Sequence, residues 1–196
     1  MSKGEETKKR ILKSALNLFS TKGYEMTSIR DIAIEVNIKA PSIYAYYSSK
    51  EALFVSVCDF VMENYVIFIR SHSSTISHLS IENKLYTLLK SLNDYFYENE
   101  LGHFINRYFI LPPDPFKEVL LQQYIKSEVE IKKILFPILS AESDKFIAID
   151  TIIASFFSNL DGMLVYMINF SRDDYEKRLR ECWEVFWRGI QKHPIS

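Results

Sequence analysis

The chain has 196 residues, of which 47% are hydrophobic and 25% charged, with only 5 glycines. That balance excludes a disordered or collagen-like polymer and favours a helical globular protein with room for a small headpiece and one larger core. The net charge of −1 divides unevenly: residues 1–55 hold 9 Lys and Arg against 6 Asp and Glu (+3), and residues 56–196 hold 15 against 19 (−4). A basic end on an acidic body suits a protein that turns one end toward phosphate.

The first predicted helix, residues 7–23, puts Ile11, Ala15, Leu18 and Phe19 on one face and Lys8, Lys9, Arg10 and Lys13 elsewhere. Gly23 follows its last turn, where a left-handed residue ends a helix. Residues 27–50 then read TSIRDIAIEVNIKAPSIYAYYSSK. Ile29, Ile32, Ala33 and Val36 are spaced as one helical face, with Thr27 or Ser28 as N-cap and Asp31 completing a capping box. Asn37 tolerates the left-handed conformation of a tight turn. A second short helix starts near Ala40, with Pro41 in its first turn and Ile43, Tyr44 and Tyr47 inward. Two short helices joined by a tight turn read as a helix-turn-helix, with the preceding helix across its back.

These residues carry a resemblance that runs from Thr7 to Phe54 without a gap. Ile11-Leu12, Ala15, Leu18-Phe19, Gly23-Tyr24, Thr27-Ser28, Ile32-Ala33, Ile43-Tyr44, Tyr46-Tyr47 and Ser49-Lys50-Glu51 are similar to the N-terminal signature of the tetracycline-repressor (TetR) family of transcription regulators. The chain departs from that pattern at Asn37 (usually Gly), Lys39 (often Ser or Thr) and Pro41 (often Gly). The resemblance implies an all-α fold: a three-helix DNA-binding headpiece in residues 1–50, then an effector-binding and dimerisation body in residues 51–196. Lys39, Ala40, Pro41, Ser42 and Ala45 are the candidates for base edges. Thr27, Ser28, Tyr44, Tyr46 and Lys50 are those for phosphates.

In the remainder, helices are expected over residues 50–70, 81–98, 101–111, 114–139, 148–170 and 173–191, with a polar connector at 71–80. The fifth of these is apolar nearly all round and needs burial on two sides, while Asp150, Asn159, Asp161 and Asn169 exclude a membrane span. The resemblance implies a homodimer through the last two helices, with Phe157, Gly162, Trp183, Phe186 and Ile190 as candidate interface residues. Gly162 either lets a partner backbone approach or marks a bend. Phe104, Tyr108, Phe109, Tyr124, Phe156 and Asp161 are the candidate effector-pocket residues, and Asp161 serves equally as a partner across the dimer interface. With 14 Phe and 12 Tyr in the chain, an apolar or aromatic effector is expected.

Catalytic chemistry has no motif here: there is no nucleophile elbow, phosphate-binding glycine loop or Cys-x-x-Cys. Glu100 and His103 form one Glu-x-x-His pair, where a di-iron bundle needs two pairs and two further carboxylates. No enzyme activity, metal or cofactor is expected. Cys58 and Cys182 read as reduced thiols, and MSKGEETKKR has no apolar segment behind it, so a cytoplasmic chain is expected. The favoured function is a ligand-released repressor on an inverted-repeat operator. A DNA-binding adaptor without an effector and, behind it, a helical metal-dependent enzyme are the alternatives.

Overall fold

A computed structural model describes residues 2–98 and 100–192, and among them the extended regular elements are all helices. These are α1 (Lys3–Thr21), α2 (Ile29–Val36), α3 (Ala40–Ile43), α4 (Lys50–Thr75), α5 (Ile81–Glu98), α6 (Glu100–Phe109), α7 (Lys117–Ser140), α8 (Ile149–Asn169) and α9 (Arg172–Ile190). Single 3₁₀ turns at Asp114–Phe116 and Ser143–Lys145 precede α7 and α8.

The chain forms two compact units, Met1–Asn64 with Glu100–Tyr124, and Tyr65–Asn99 with Ile125–Ser196. The first unit therefore extends past the boundary expected at residue 50 and takes in α6. The reason is aromatic packing. The Phe54 ring meets Phe19 and Tyr24 at 5.4 and 5.0 Å, and Phe104, Tyr108 and Phe116 at 5.6, 5.0 and 4.2 Å between centroids. Three short helices bury too little apolar surface alone, and α6 supplies the missing wall.

In the second unit α5 packs on α8 and α9, and α8 packs on α9. Leu85, Leu88, Leu92, Ile152, Phe156, Leu179 and Trp183 are buried there, and the Trp183 ring lies 5.2 Å from that of Tyr86. Lys90 and Arg172 both bridge Asp94 and Glu176, at 2.6 to 3.0 Å, which ties α5 to the start of α9. Beyond α9, Lys192 N–H donates to the Lys145 carbonyl and Ile147 N–H to that of Ile190.

Several boundaries differ from expectation, α1 starting at Lys3 rather than residue 7. Helix α4 runs to Thr75 rather than Arg70, because Ser71, Ser74 and Thr75 donate their hydroxyls to carbonyls three residues back and so sit within a helix. Helix α7 starts at Lys117 rather than residue 114 and carries Pro137 inside its last turn. Residues Lys50–His72 are also long and apolar enough to cross a membrane, with a mean hydropathy of 1.8. That composition serves burial in the protein, since Leu53, Phe54, Val57, Cys58, Val61 and Ile69 are fully covered. Burial also pushes the Cys58 thiol up, which leaves it unreactive.

Candidate nucleic-acid interface

The turn between α2 and α3 is built on one residue. Asn37 adopts the left-handed conformation (φ 58°, ψ 51°) as C-cap of α2, and the chain reverses there. At the other end of α2, Ser28 Oγ accepts from the Asp31 N–H at 3.1 Å while the Asp31 carboxylate accepts from the Ser28 N–H at 2.8 Å. This reciprocal cap holds the Asp31 carboxyl below its ordinary range. Ile32, Ala33 and Val36 face inward, and Arg10 reaches from α1 to the Val36 carbonyl.

Helix α3 is a single turn that buries only Ile43. Tyr47 is buried four residues beyond it, its ring under the Lys8 ammonium at 5.7 Å. Everything else around that turn looks outward: Lys39, Pro41, Ser42, Tyr44 and Ala45 are exposed, and Ala40 and Tyr46 half-exposed. Lys39 is the N-cap residue; its ammonium has no acceptor with which to cap the helix, and the side chain is exposed. Tyr44, expected inward by its spacing, is 54% exposed because α3 ends before a second turn can bring it round. The surface thus joins a cation, a hydroxyl, two phenols and three small apolar side chains. Those are the side-chain types that contact phosphates, base edges and thymine methyls.

Thr27 does not belong to this surface. It is 1% exposed, and its hydroxyl donates to the Gly23 carbonyl at 2.7 Å, so it braces the corner between α1 and α2 instead of meeting phosphate. Lys50 is half-buried at the start of α4, with its ammonium 4.1 Å above the Tyr24 ring. The Tyr24 hydroxyl donates to Glu51 at 2.9 Å; burial, then Glu51, pushes its pKa up.

Residues 11–57 match the family described as bacterial regulatory proteins, tetR family. The headpiece is that of the TetR family. The HTH-type transcriptional regulator YerO of Bacillus subtilis is 42% identical over 55 residues, which is 28% of this chain and 19% of YerO. IcaR of Staphylococcus aureus, the negative transcriptional regulator of the biofilm operon icaADBC, is 38% identical over 72 residues, 36% of this chain and 39% of IcaR. The match spans well under half the length of these curated relatives. A TetR regulator from Chloroflexus aurantiacus superposes with a TM-score of 0.77 at 18% identity, covering 98% of this chain and 100% of that one. FadR from Bacillus subtilis, solved in complex with stearoyl-CoA, gives 0.71 at 17% identity over 93% and 98% of the two chains. The likeness in the body is one of fold.

The other candidate residues lie in both units. Phe104 and Tyr108 are buried in the aromatic core of the first unit, packed against each other and against Phe54. Phe109 and Tyr124 are half-buried in the same unit. Phe156 is buried in the second unit against Phe157 and Phe186, and Asp161 is half-buried there. Of the six expected pocket residues, four thus belong to the first unit and two to the second.

Among the expected interface residues, Phe157 and Trp183 also turn inward, Phe157 beneath Lys132 and Trp183 against Tyr86. An apolar stripe on a helix faces its own core first, and these two are covered within the chain itself. Phe186 and Ile190 floor an open groove of about 640 Å³ between α8 and α9, whose walls include Thr151, Ser155, Asn159, Arg178, Glu181 and Val185. Gly162 is exposed, and a Cβ there would meet nothing within 4 Å. Val165 and Val185 are 47% and 75% exposed. Among the described residues no group of three or more His, Cys, Asp or Glu is placed to hold a metal; the Glu100 side chain lies outside the described ones.

Proposed function

We propose that the chain is a ligand-responsive, sequence-specific DNA-binding regulator, acting as a cytoplasmic homodimer that represses from an inverted-repeat operator until a small apolar or aromatic effector releases it. The observation that carries this reading is the outward set around α3, with Ile43 as the single buried anchor, inside the segment that matches the family. DNA binding falls to residues 1–50, and effector binding and dimerisation to residues 51–196. Lys39, Ala40, Pro41, Ser42 and Ala45 contact base edges, and Ser28, Tyr44, Tyr46 and Lys50 hold phosphates.

The dimer forms by a two-fold contact over α8 and α9. Its surface is drawn from the exposed Gly162, Val165 and Val185 and from the rim of the groove over Phe186 and Ile190, which are themselves buried within the chain. The effector belongs to the body, so Phe156 and Asp161 are the expected pocket residues to test first. That a neighbour of this fold holds stearoyl-CoA supports an apolar effector class. The filled packing around Phe104 and Tyr108 favours the second reading, an adaptor with no small effector, to that extent.

Selection of duplexes from a randomised pool by the purified protein tests the reading. An enriched inverted repeat with half-sites about 34 Å apart is expected. Recovery without any sequence preference overturns it. A metabolite panel screened for release from the selected duplex separates regulator from adaptor, because only the regulator lets go.

A further inference from the structure

Helix α1 ends without a basic residue in its last turn, so its terminal carbonyls have no cation of their own. Arg107, from the last turn of α6, supplies one. Its Nη1 donates to the Ser20 and Thr21 carbonyls at 3.2 Å each, and its Nη2 to the Lys22 carbonyl at 3.4 Å. Tyr108 stands beside it, 3% exposed, and its hydroxyl donates to the Phe19 carbonyl at 2.9 Å while accepting the Tyr24 N–H at 2.8 Å. Gly23 lies between these contacts. Its φ of +92° is one that side chains avoid, and a Cβ there would stand 2.6 Å from Arg107 Nη2. Three consecutive features of the α1–α2 corner thus fit two consecutive residues of α6.

The corner leads straight to the DNA-facing elements. Thr27 donates its buried hydroxyl to the Gly23 carbonyl, Ser28 caps α2, and α2 passes through the Asn37 turn into α3. We infer that Arg107 and Tyr108 are positioning residues for the headpiece: they clamp the α1–α2 corner and through it set where α2 and α3 stand. The inference rests on the DNA-binding reading above.

Full-length Arg107→Gln and Tyr108→Phe proteins test it in two measurements. Amide hydrogen exchange, taken without DNA, should rise about tenfold or more at Tyr24 in Tyr108→Phe, which removes the acceptor of that N–H, and across residues 20–28 in Arg107→Gln. Binding to the duplex selected by the parent should weaken about tenfold in both, with the salt dependence of binding unchanged, since no phosphate contact is removed. A change of slope would make Arg107 a phosphate contact and overturn the assignment. Parent-like exchange refutes the clamp; faster exchange with affinity within twofold of the parent reduces it to a structural brace and also refutes the positioning role. Should the parent retain no DNA, the functional reading fails while the exchange result still decides whether α6 holds the corner.

Discussion

Gly23→Ala isolates the corner in one methyl group. The backbone at φ +92° costs an L side chain about 1–2 kcal/mol. The new Cβ also falls 2.6 Å from Arg107 Nη2, so the guanidinium must move and its hydrogen bonds to the Ser20, Thr21 and Lys22 carbonyls lengthen. Those bonds lie at an exposed helix end, so together they contribute roughly 1 kcal/mol. The sum is about 2–3 kcal/mol, equivalent in a chain of this size to a midpoint lowered by roughly 5–10 °C. Urea denaturation of the parent, Gly23→Ala, Arg107→Ala and the double variant forms a closed cycle. The double variant should be less damaged than the two singles summed, by about 1 kcal/mol, because the methyl has already displaced the side chain. Strict additivity, or a loss below about 0.5 kcal/mol in Gly23→Ala, would refute the packing of Arg107 over this glycine.

Other outcomes follow from the same contacts. Lys39→Ala and Ser42→Ala should change which duplex is enriched from a random pool, whereas Tyr44→Ala should weaken all duplexes alike and Lys50→Ala should also lower the salt slope by about 1. Sedimentation should find Gly162→Glu and Val185→Glu monomeric and folded, while Trp183→Ala should instead lose about 3–5 kcal/mol of stability, since it empties a core site. Hydrogen bonds from Arg70 and Lys133 hold the Glu130 carboxyl down near 2. Its contribution is fully present above about pH 4.5 and is lost as the pH falls toward 2. With both partners largely exposed that contribution is about 1 kcal/mol, and acid titration of Glu130→Gln should show a correspondingly flatter loss.

Local chemistry was legible in the sequence wherever one residue type answers one backbone demand. Asn37 at the turn, the Ser28–Asp31 cap and Gly23 after α1 are all where side-chain and backbone preferences put them. Facing was less legible, because an apolar residue at helical spacing says only that it is covered, not by what. Phe157 and Trp183 are covered by their own chain, while Val165 and Val185 remain exposed. The role of α6 was not legible at all: the Tyr108 hydroxyl meets Phe19 and Tyr24 across 89 and 84 residues of sequence, and no local pattern encodes such a pairing. Polar hydroxyls misled once, since Ser71, Ser74 and Thr75 suggested a connector yet bond back into α4.

The divided aromatic core around Phe54 also bears on how the protein is made. That ring meets Phe19 and Tyr24, which leave the ribosome before it, and also Phe104, Tyr108 and Phe116, which follow some fifty residues later. At synthesis rates of about 5–20 residues per second the half-walled core waits several seconds for its second side. During that interval it sits at the head of a helix with the hydropathy of a membrane segment. A fragment ending near residue 64, the obvious choice for studying the headpiece alone, would keep that state permanently and should aggregate. A soluble headpiece needs residues 100–124 supplied as well, in the same chain or as a second piece.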